Sequence, residues 1–551
     1  MARIIRTCKG ALAAVAAAFL AFPGPADALV DDRLDVFIQA WIAKASDDNA
    51  AASDQYLKLL DKEPDNTSFS DGLWRSAIFA GDRPKAVRAA RFIELNGGAS
   101  EASLLLFADA IQRRDWADAR SAIANLPDAS NYGFLKPLLS AWLRNARGNA
   151  HGFAQQPATP LLQYYSVGQR AYFDMAAGDM KQARISVGAF ASQDDEFARE
   201  LRIRFAPALA AAGDRELARR IAKNLLPADI LAQYTERPAD KRLKKITASD
   251  GLSALYSRLA ASLLEQAMAE EALALARTAS WVAPHNDAAK MTLARVLDGL
   301  EYPQKSDQLL AEIAPRSAHY ARAAITRIQS AMEGGRHGDA VKIAEDAARQ
   351  RPAAEFDILR GQALQSGGRL AEAQAIFTTL LDTADEQRIS PKRRAVYHLY
   401  LGMVLDEQGD WSAARENLER GMALDPQNPY LINYLAYTLL ERREEIVASL
   451  EMLQRAHRLA PQSAAITDSL GWGYYLTGDY GNAVRYLEKA ARSTDADVTI
   501  REHLGDAYWL AGRFVDARYA WRAAALVAEG DDASRIARKI DLGLEREAAA
   551  K

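Results

Sequence analysis

Tyr430, Tyr434 and Tyr437 stand at i, i+4 and i+7 and would therefore share one face of a helix. The same spacing returns at Asp468, Trp472 and Tyr475, and again at Glu502, Asp506 and Trp509, with His503 beside them. Tyr400 and Met403 extend the strip upstream, and Asn433 and Asp406 are interleaved with it. The chemistry such a strip supports is adhesion, because rings supply rigid contact area and dominate interface energetics. Tyr400, Met403, Tyr430, Asn433, Tyr434, Tyr437, Asp468, Trp472, Tyr475, His503, Asp506 and Trp509 are the candidate protein-binding residues. An acidic, aromatic surface favours basic or apolar segments of another polypeptide.

Bond-making chemistry finds no comparable support. Gly334-Gly335-Arg336-His337-Gly338 lacks the Lys-Ser/Thr pair of a phosphate loop. No His-Glu-x-x-His helix occurs, and the seven histidines are scattered singly. A Gly-x-Ser-x-Gly elbow is missing, and the one cysteine, Cys8, lies near the N-terminus. The expectation is a protein that is not an enzyme and uses no cofactor or metal.

The elements that must position the strip are set by a recurring alanine. Ala272, Ala340, Ala414, Ala448, Ala483 and Ala517 mark intervals close to 34 residues, with Ser306 half-way between the first two, Ala373 after Ala340, and the stretch Thr383 to Lys392 lengthening the unit before Ala414. Around them a fuller pattern repeats. Leu470-Gly471-x-x-Tyr474 leads to Gly478, Tyr480, Ala483 and Leu487, and Leu504-Gly505-x-x-Tyr508 leads to Gly512, Phe514, Ala517 and Trp521. Leu401-Gly402 precedes Gly409, Trp411, Ala414 and Leu418, while Leu435-Ala436 leads to Ala448, Met452 and Ala456 with one extra residue near Arg442-Arg443. Small residues at the eighth and twentieth positions let two helices approach closely, and large ones at the eleventh, seventeenth and twenty-fourth fill the space between them. Glycine near the fifteenth position relieves the turn.

These motifs, from about Leu259 to Trp521, resemble the tetratricopeptide repeat. The resemblance implies an all-α, right-handed superhelical solenoid of helical hairpins, in which first helices line a trough that holds another polypeptide. Grooves of that family that grip a terminal carboxylate use repeated Lys, Arg and Asn. The corresponding positions here include Leu399, Asn433, Asp468 and Glu502, so no carboxylate clamp is expected on this face.

Upstream the pattern thins to spacing alone, at Ala52, Gly81 with Ala86, Ala119, Gly178 with Ala183, and Gly213 with Ala218. Pro227, Pro238 and the basic cluster Lys241-Arg242-x-Lys244-Lys245 interrupt it. The expected organisation is a signal peptide at 1–28, a degenerate helical array at 29–226, a linker at 227–250, the main array at 251–530 and a capping helix with tail at 531–551. Ile536, Ile540 and Leu544 give the last segment its amphipathic rhythm.

Arg3, Arg6 and Lys9 precede an apolar run from Gly10 to Phe22, and Ala26-Asp27-Ala28 follows it, the pattern of a cleaved export signal. Cleavage near Ala28 places the expected mature protein in the periplasm or medium, without a cysteine and without a membrane-spanning segment. The signal carries three bases and one acid, so the overall charge of −3 shifts little on its loss. That balance offers no electrostatic footprint for nucleic acid.

The run Asn433-Tyr434-Leu435-Ala436-Tyr437, Asp468-Ser469-Leu470-Gly471-Trp472 and Glu502-His503-Leu504-Gly505-Asp506 resembles bacterial envelope proteins of the repeat superfamily. Among them are lipoproteins that act as adaptors for carboxyl-terminal processing proteases. The resemblance implies a scaffold that brings partner proteins, among them protease substrates, to an envelope protease. Such adaptors carry a lipid on a cysteine after the apolar run, which this chain lacks. The alternative implied is a periplasmic spacer in a secretion or polysaccharide-export machine.

Overall fold

The computed structural model describes residues 32–96, 100–148, 159–236, 245–493, 497–528 and 530–544. The signal peptide expected at 1–28, Gln155-Gln156-Pro157, Pro238 and Lys241 to Lys244 lie outside them. The described residues form thirty α-helices and no strand. The chain divides into two compact units, Met1–Arg327 and Ile328–Lys551.

In the first unit the helices are α1 (Asp32–Ala45), α2 (Asn49–Lys62), α3 (Thr67–Ala80), α4 (Arg83–Leu95), α5 (Ser100–Arg113), α6 (Trp116–Asn125), α7 (Lys136–Ala146), α8 (Pro160–Ser166) and α9 (Gln169–Ala177). They continue as α10 (Met180–Gly188), α11 (Glu196–Ala211), α12 (Arg215–Ala222), α13 (Ala228–Thr235), α14 (Ala248–Glu265), α15 (Ala269–Val282), α16 (Asp287–Gly299) and α17 (Pro303–Ala311). After α18 (Tyr320–Glu333), the second unit runs through α19 (His337–Gln350), α20 (Ala354–Ser366), α21 (Leu370–Asp382), α22 (Pro391–Glu407), α23 (Trp411–Leu424) and α24 (Pro429–Glu441). It ends with α25 (Ile446–Leu459), α26 (Ala464–Leu476), α27 (Tyr480–Ala491), α28 (Val498–Leu510), α29 (Phe514–Ala525) and α30 (Gly530–Leu542).

A two-residue device joins many of the helix pairs. Gly81, Gly178, Gly213, Gly409 and Gly478 end a first helix with φ of 77° to 92°, a region costly to residues bearing a Cβ. The aspartate that follows accepts the backbone N–H three residues on at 3.1–3.2 Å, starting the second helix. Within the hairpin, the glycine of the first helix faces a large side chain sixteen residues later. A Cβ on Gly402 would lie 2.7 Å from Leu418 and one on Gly471 2.6 Å from Leu487; at Gly361 and Gly505 it would collide with Phe377 and Trp521. The periodic alanines Ala272, Ala340, Ala373, Ala414, Ala483 and Ala517 are all fully buried.

One hairpin departs from the expected register. Ala448 is exposed, whereas Ser449 and Leu453 are fully buried and Met452 is only partly so. Ser449 and Leu453, not Ala448 and Met452, therefore fill the small and large positions of α25. The cause is the extra residue in the turn, where Arg443 and Glu445 both take left-handed angles, φ 57° and 47°. One inserted residue rotates the following helix face by about 100°.

The two units bury their apolar residues differently. In the second unit the core breaks into successive small clusters, such as Leu418 with Leu431 and Leu435, then Leu453 with Leu470, then Leu487 with Leu504, then Trp521 with Ile536. This is the serial core of a solenoid. In the first unit one continuous core runs from Ala40 to Leu297. It is continuous because the α14–α15 hairpin packs on alternate N-terminal helices, α3, α5, α7 and α9.

That seating is specific. The backbone of Gly251 passes so close to buried Trp142 that any Cβ there would collide with the indole. Gln169 receives Trp142 Nε1–H at 2.9 Å and donates to Gly251 O at 3.1 Å. Tyr256 Oη–H donates to Leu104 O at 3.2 Å, and Gln112 donates to Trp281 O and Val282 O at 2.9 and 2.8 Å. In this unit the face expected to be open to a partner is filled by the chain itself. The interruption expected at 227–250 contains α13, and beyond it Ile246 is buried and Asp250 pairs with Arg204 at 2.8 Å. The chain therefore divides after Arg327, not at that interruption.

Candidate functional site

The aromatic strip lies on the first helices α22, α24, α26 and α28 of the second unit. Proline at the start of α22 and α24, and Ser390, Asn428, Ser463 and Asp497 as side-chain caps, fix where each helix begins. Tyr430, at the opening turn of α24, is 59% exposed. Tyr400, Met403, Asn433, Tyr434, Tyr437, Trp472, Tyr475 and Trp509 are half-buried.

Several of these side chains lean on neighbouring hairpins. Tyr400 stacks on Phe377 with ring centres 5.4 Å apart, and Met403 packs beside Leu399, Leu418 and Leu435. Tyr434 Oη–H donates to Asp406 at 3.1 Å. Asn433 donates to Ser469 Oγ at 3.2 Å, while its buried Oδ1 has no hydrogen-bond partner. Burial raises the phenol pKa of Tyr434, Tyr437 and Tyr475, so these rings are neutral hydroxyl donors.

Tyr475, Trp472 and His503 are brought together as one stack. Trp472 lies 4.3 Å from Tyr475 and 4.0 Å from His503, with interplanar angles of 10° and 15°. Its Nε1–H donates to Glu441 at 2.5 Å. Behind it, His503 Nδ1 meets the Asp468 carboxylate at 3.0 Å. Burial opposes the charged imidazole, but the Asp468 hydrogen bond and charge outweigh it and raise the His503 pKa.

The acids do not line an open groove. Asp468, Glu502 and Asp506 are buried, and each is matched by a cation or ring from the next first helix. Glu502 pairs with Arg535 and Lys539 of α30 at 2.7 and 2.6 Å. Asp506 accepts from Lys539 at 2.6 Å and from Trp521 Nε1–H at 2.9 Å. Burial raises its pKa despite Lys539. Together with Asp406–Arg442 and Asp468–His503 these contacts make a polar ladder between successive hairpins. Trp509 packs on Trp521 and Phe514, and Gly543 passes so closely over it that a side chain there would strike the indole. Asp468, His503, Asp506 and Trp509 thus belong to the hairpin interfaces, and Tyr400, Tyr430, Tyr434, Tyr437, Trp472 and Tyr475 form the reachable part of the strip. The ladder had a signal in the sequence: its charged partners sit 33 to 37 residues apart, about one period.

Glu502 makes the ladder sensitive to acid. Burial pushes its pKa up, but hydrogen bonds and charge from Arg535 and Lys539 hold it at about 2. A depressed carboxylate stabilises the fold above its unfolded pKa of about 4.3 and loses that stabilisation as pH falls toward 2. Urea unfolding of the wild type should therefore lose roughly 3 kcal/mol more between pH 6 and 2 than unfolding of Glu502→Gln. Parallel pH profiles for the two proteins would show that the pair contributes nothing.

Among the described residues no group of three or more His, Cys, Asp or Glu could hold a metal ion, and no helix is long and apolar enough to cross a membrane. Residues 321–529 match the tetratricopeptide-repeat family. A curated relative, the TPR repeat-containing protein PA4667 of Pseudomonas aeruginosa, is 27% identical over 207 residues, 37% of this chain and 34% of the relative. The match thus spans about a third of that relative's length. Among solved structures, the tetratricopeptide-repeat protein TTC0263 of Thermus thermophilus is 24% identical, covering 34% of this chain and all of that one, with a TM-score of 0.30. Yeast Tom70 is 13% identical over 94% of this chain and 95% of its own, with a TM-score of 0.38.

Proposed function

We propose that this tetratricopeptide-repeat protein is an exported adaptor that holds a partner polypeptide on the aromatic strip of its second unit. The observation that carries the proposal is the run of reachable rings on three consecutive first helices, Tyr400, Tyr430, Tyr434, Tyr437, Trp472 and Tyr475, held in place by the ladder behind them. Preorganised rings lose little entropy on binding, which is what a recognition surface needs. Since Asp468, Glu502 and Asp506 are already matched by His503, Arg535 and Lys539, the strip favours apolar and aromatic segments over basic ones. Export rests on the basic, apolar and Ala-Asp-Ala features of residues 1–28.

Delivery of substrates to an envelope protease is the narrower form of the proposal, supported by the runs at 433–437, 468–472 and 502–506. Co-purification with a periplasmic protease, and longer-lived substrates in a deletion strain, would bear it out; co-fractionation with glycan-synthesis proteins would favour a spacer instead. For the strip itself, a photo-crosslinking residue at position 430 should trap the partner in intact cells. Tyr430→Ala with Tyr437→Ala should weaken capture about ten-fold or more at unchanged helical content. A folded double variant that captures its partner as well as the wild type would remove the strip from consideration.

A further inference from the structure

The first unit contains a cavity of about 1240 Å³, between α11 on one side and α14, α16 and α18 on the other. Ligand pockets are usually about 300–1,000 Å³, so the space exceeds what a small metabolite needs. Five aromatic residues, Tyr164, Tyr172, Phe190, Phe197 and Tyr234, are among those that line it. Most of the charged groups around it are matched to one another. Arg204 pairs with Asp250 at 2.8 Å, Glu200 with His319 and Arg322 at 2.6 and 2.8 Å, Arg295 with Glu196 at 3.2 Å and Lys290 with Glu312 at 3.2 Å.

Arg258 is different. Its guanidinium carbon lies 3.9 Å from the centre of the Tyr164 ring and 4.1 Å from that of Phe197. Its Nη1–H donates to Val167 O at 3.2 Å, and no carboxylate among the described residues pairs with it. The arrangement is built into the backbone. Gly168 takes φ 83°, and a Cβ there would lie 2.6 Å from Phe197 and 2.9 Å from Leu201, so glycine alone lets the chain carry the Val167 carbonyl past α11 to Arg258. With rings beside the guanidinium and one N–H engaged, its in-plane edge is what a ligand meets. That edge matches a carboxylate, which accepts two parallel N–H bonds from an arginine held in plane. Tyr164 and Val167, 51% and 49% exposed, leave apolar surface open beside it.

We propose that this cavity is a second recognition site, independent of the aromatic strip, and that it takes an apolar group bearing a carboxylate. The carboxylate sits on the free edge of Arg258, and the apolar body lies along Tyr164, Val167 and Phe197. Two sources share this chemistry, the C-terminal residue of a polypeptide and a free organic acid.

Titration calorimetry on the full chain with three probes tests the proposal: N-acetyl-L-phenylalanine, its neutral amide, and the tetrapeptide Ala-Ala-Ala-Phe with a free C-terminus. A carboxylate probe should bind saturably and the amide about ten-fold or more weakly. Arg258→Gln should bring the carboxylate probes down to the level of the amide, with Arg258→Lys between. Tyr164→Ala, at a half-exposed position that leaves charge and core alone, should weaken carboxylate binding several-fold by freeing the guanidinium. Tighter binding of the tetrapeptide identifies a polypeptide terminus, and tighter binding of the acetylated amino acid identifies a free acid. Equal affinity for acid and amide, undiminished binding in folded Arg258→Gln, or no saturation by any probe up to about 5 mM would each overturn the site. The aromatic strip lies in the other unit, so partner capture through Tyr430 is unaffected by any of these outcomes.

Discussion

A fragment ending at residue 250 will not fold, whereas one ending at residue 327 will unfold in a single cooperative transition. The difference is the α14–α15 hairpin. Leu252, Leu255, Tyr256, Leu259, Leu273, Leu275 and Val282 are buried there, against a face that includes fully buried Leu104, Phe107 and Trp142. Each large apolar side chain withdrawn from water contributes about 1.5–3 kcal/mol. Removing seven, and exposing those they covered, exceeds the roughly 5–15 kcal/mol by which a typical domain is stable. Several backbone carbonyls, Ile78 O and Leu104 O among them, would also lose their side-chain donors from Arg277 and Tyr256. Circular dichroism melts and urea titrations of the two fragments decide the matter. A shorter fragment with a sharp transition at the same midpoint would show that the hairpin is an accessory, not part of the core.

The second large effect is expected at Asp250. Its side chain is 2% exposed and that of Arg204 9%, and the two meet at 2.8 Å with His285 also at 2.9 Å. The other carboxylate oxygen accepts Thr247 N–H at 2.8 Å, closing the capping box of α14. Burial works against the charge, but Arg204 and His285 outweigh it and hold the Asp250 pKa well below the usual carboxylate range. Asp250→Ala leaves the guanidinium buried without a counter-charge, which typically costs about 3–5 kcal/mol. Replacing both partners, as Arg204→Met with Asp250→Leu, should recover most of that loss, because an apolar pair does not have to be desolvated. Urea unfolding of the single and double variants measures both quantities. A double variant as unstable as Asp250→Ala would mean that shape or the helix cap, not the unpaired charge, sets the cost.

The repeat is legible in the chain because its determinants are local. Glycine before aspartate fixes a left-handed turn and the next helix cap, and Gly471 with Leu487 or Gly505 with Trp521 meet within one hairpin. At 443–445 the insertion is visible, but Ala448 sits where the motif wants an alanine and hides the one-residue rotation that buries Ser449 and Leu453. The aromatic residues of the strip are also legible, since helical spacing alone lines them up. Their surroundings are not: whether Asp506 faces solvent or Lys539 depends on how α30 lies across α28, one period further on. Least legible is the seating of α14–α15, because Gly251 against Trp142 and Tyr256 against Leu104 are long-range matches that no periodicity encodes. The cavity beside Arg258 shares that origin, being walled by segments far apart in the chain.

The serial clusters of the second unit and the long continuous core of the first, from Ala40 to Leu297, differ in how they accommodate changes of length. A whole hairpin added between α23 and α24 would present the same two faces as its neighbours, so the array could grow or shrink by modules. No such freedom exists between α3 and α9. There α3, α5, α7 and α9 are each fitted to one non-repeating pair, and an inserted module would throw the later ones out of step with their seats. This accounts for the faded motif upstream of residue 227. Identical residues at equivalent positions suit identical neighbours, and in the first unit the neighbours are all different.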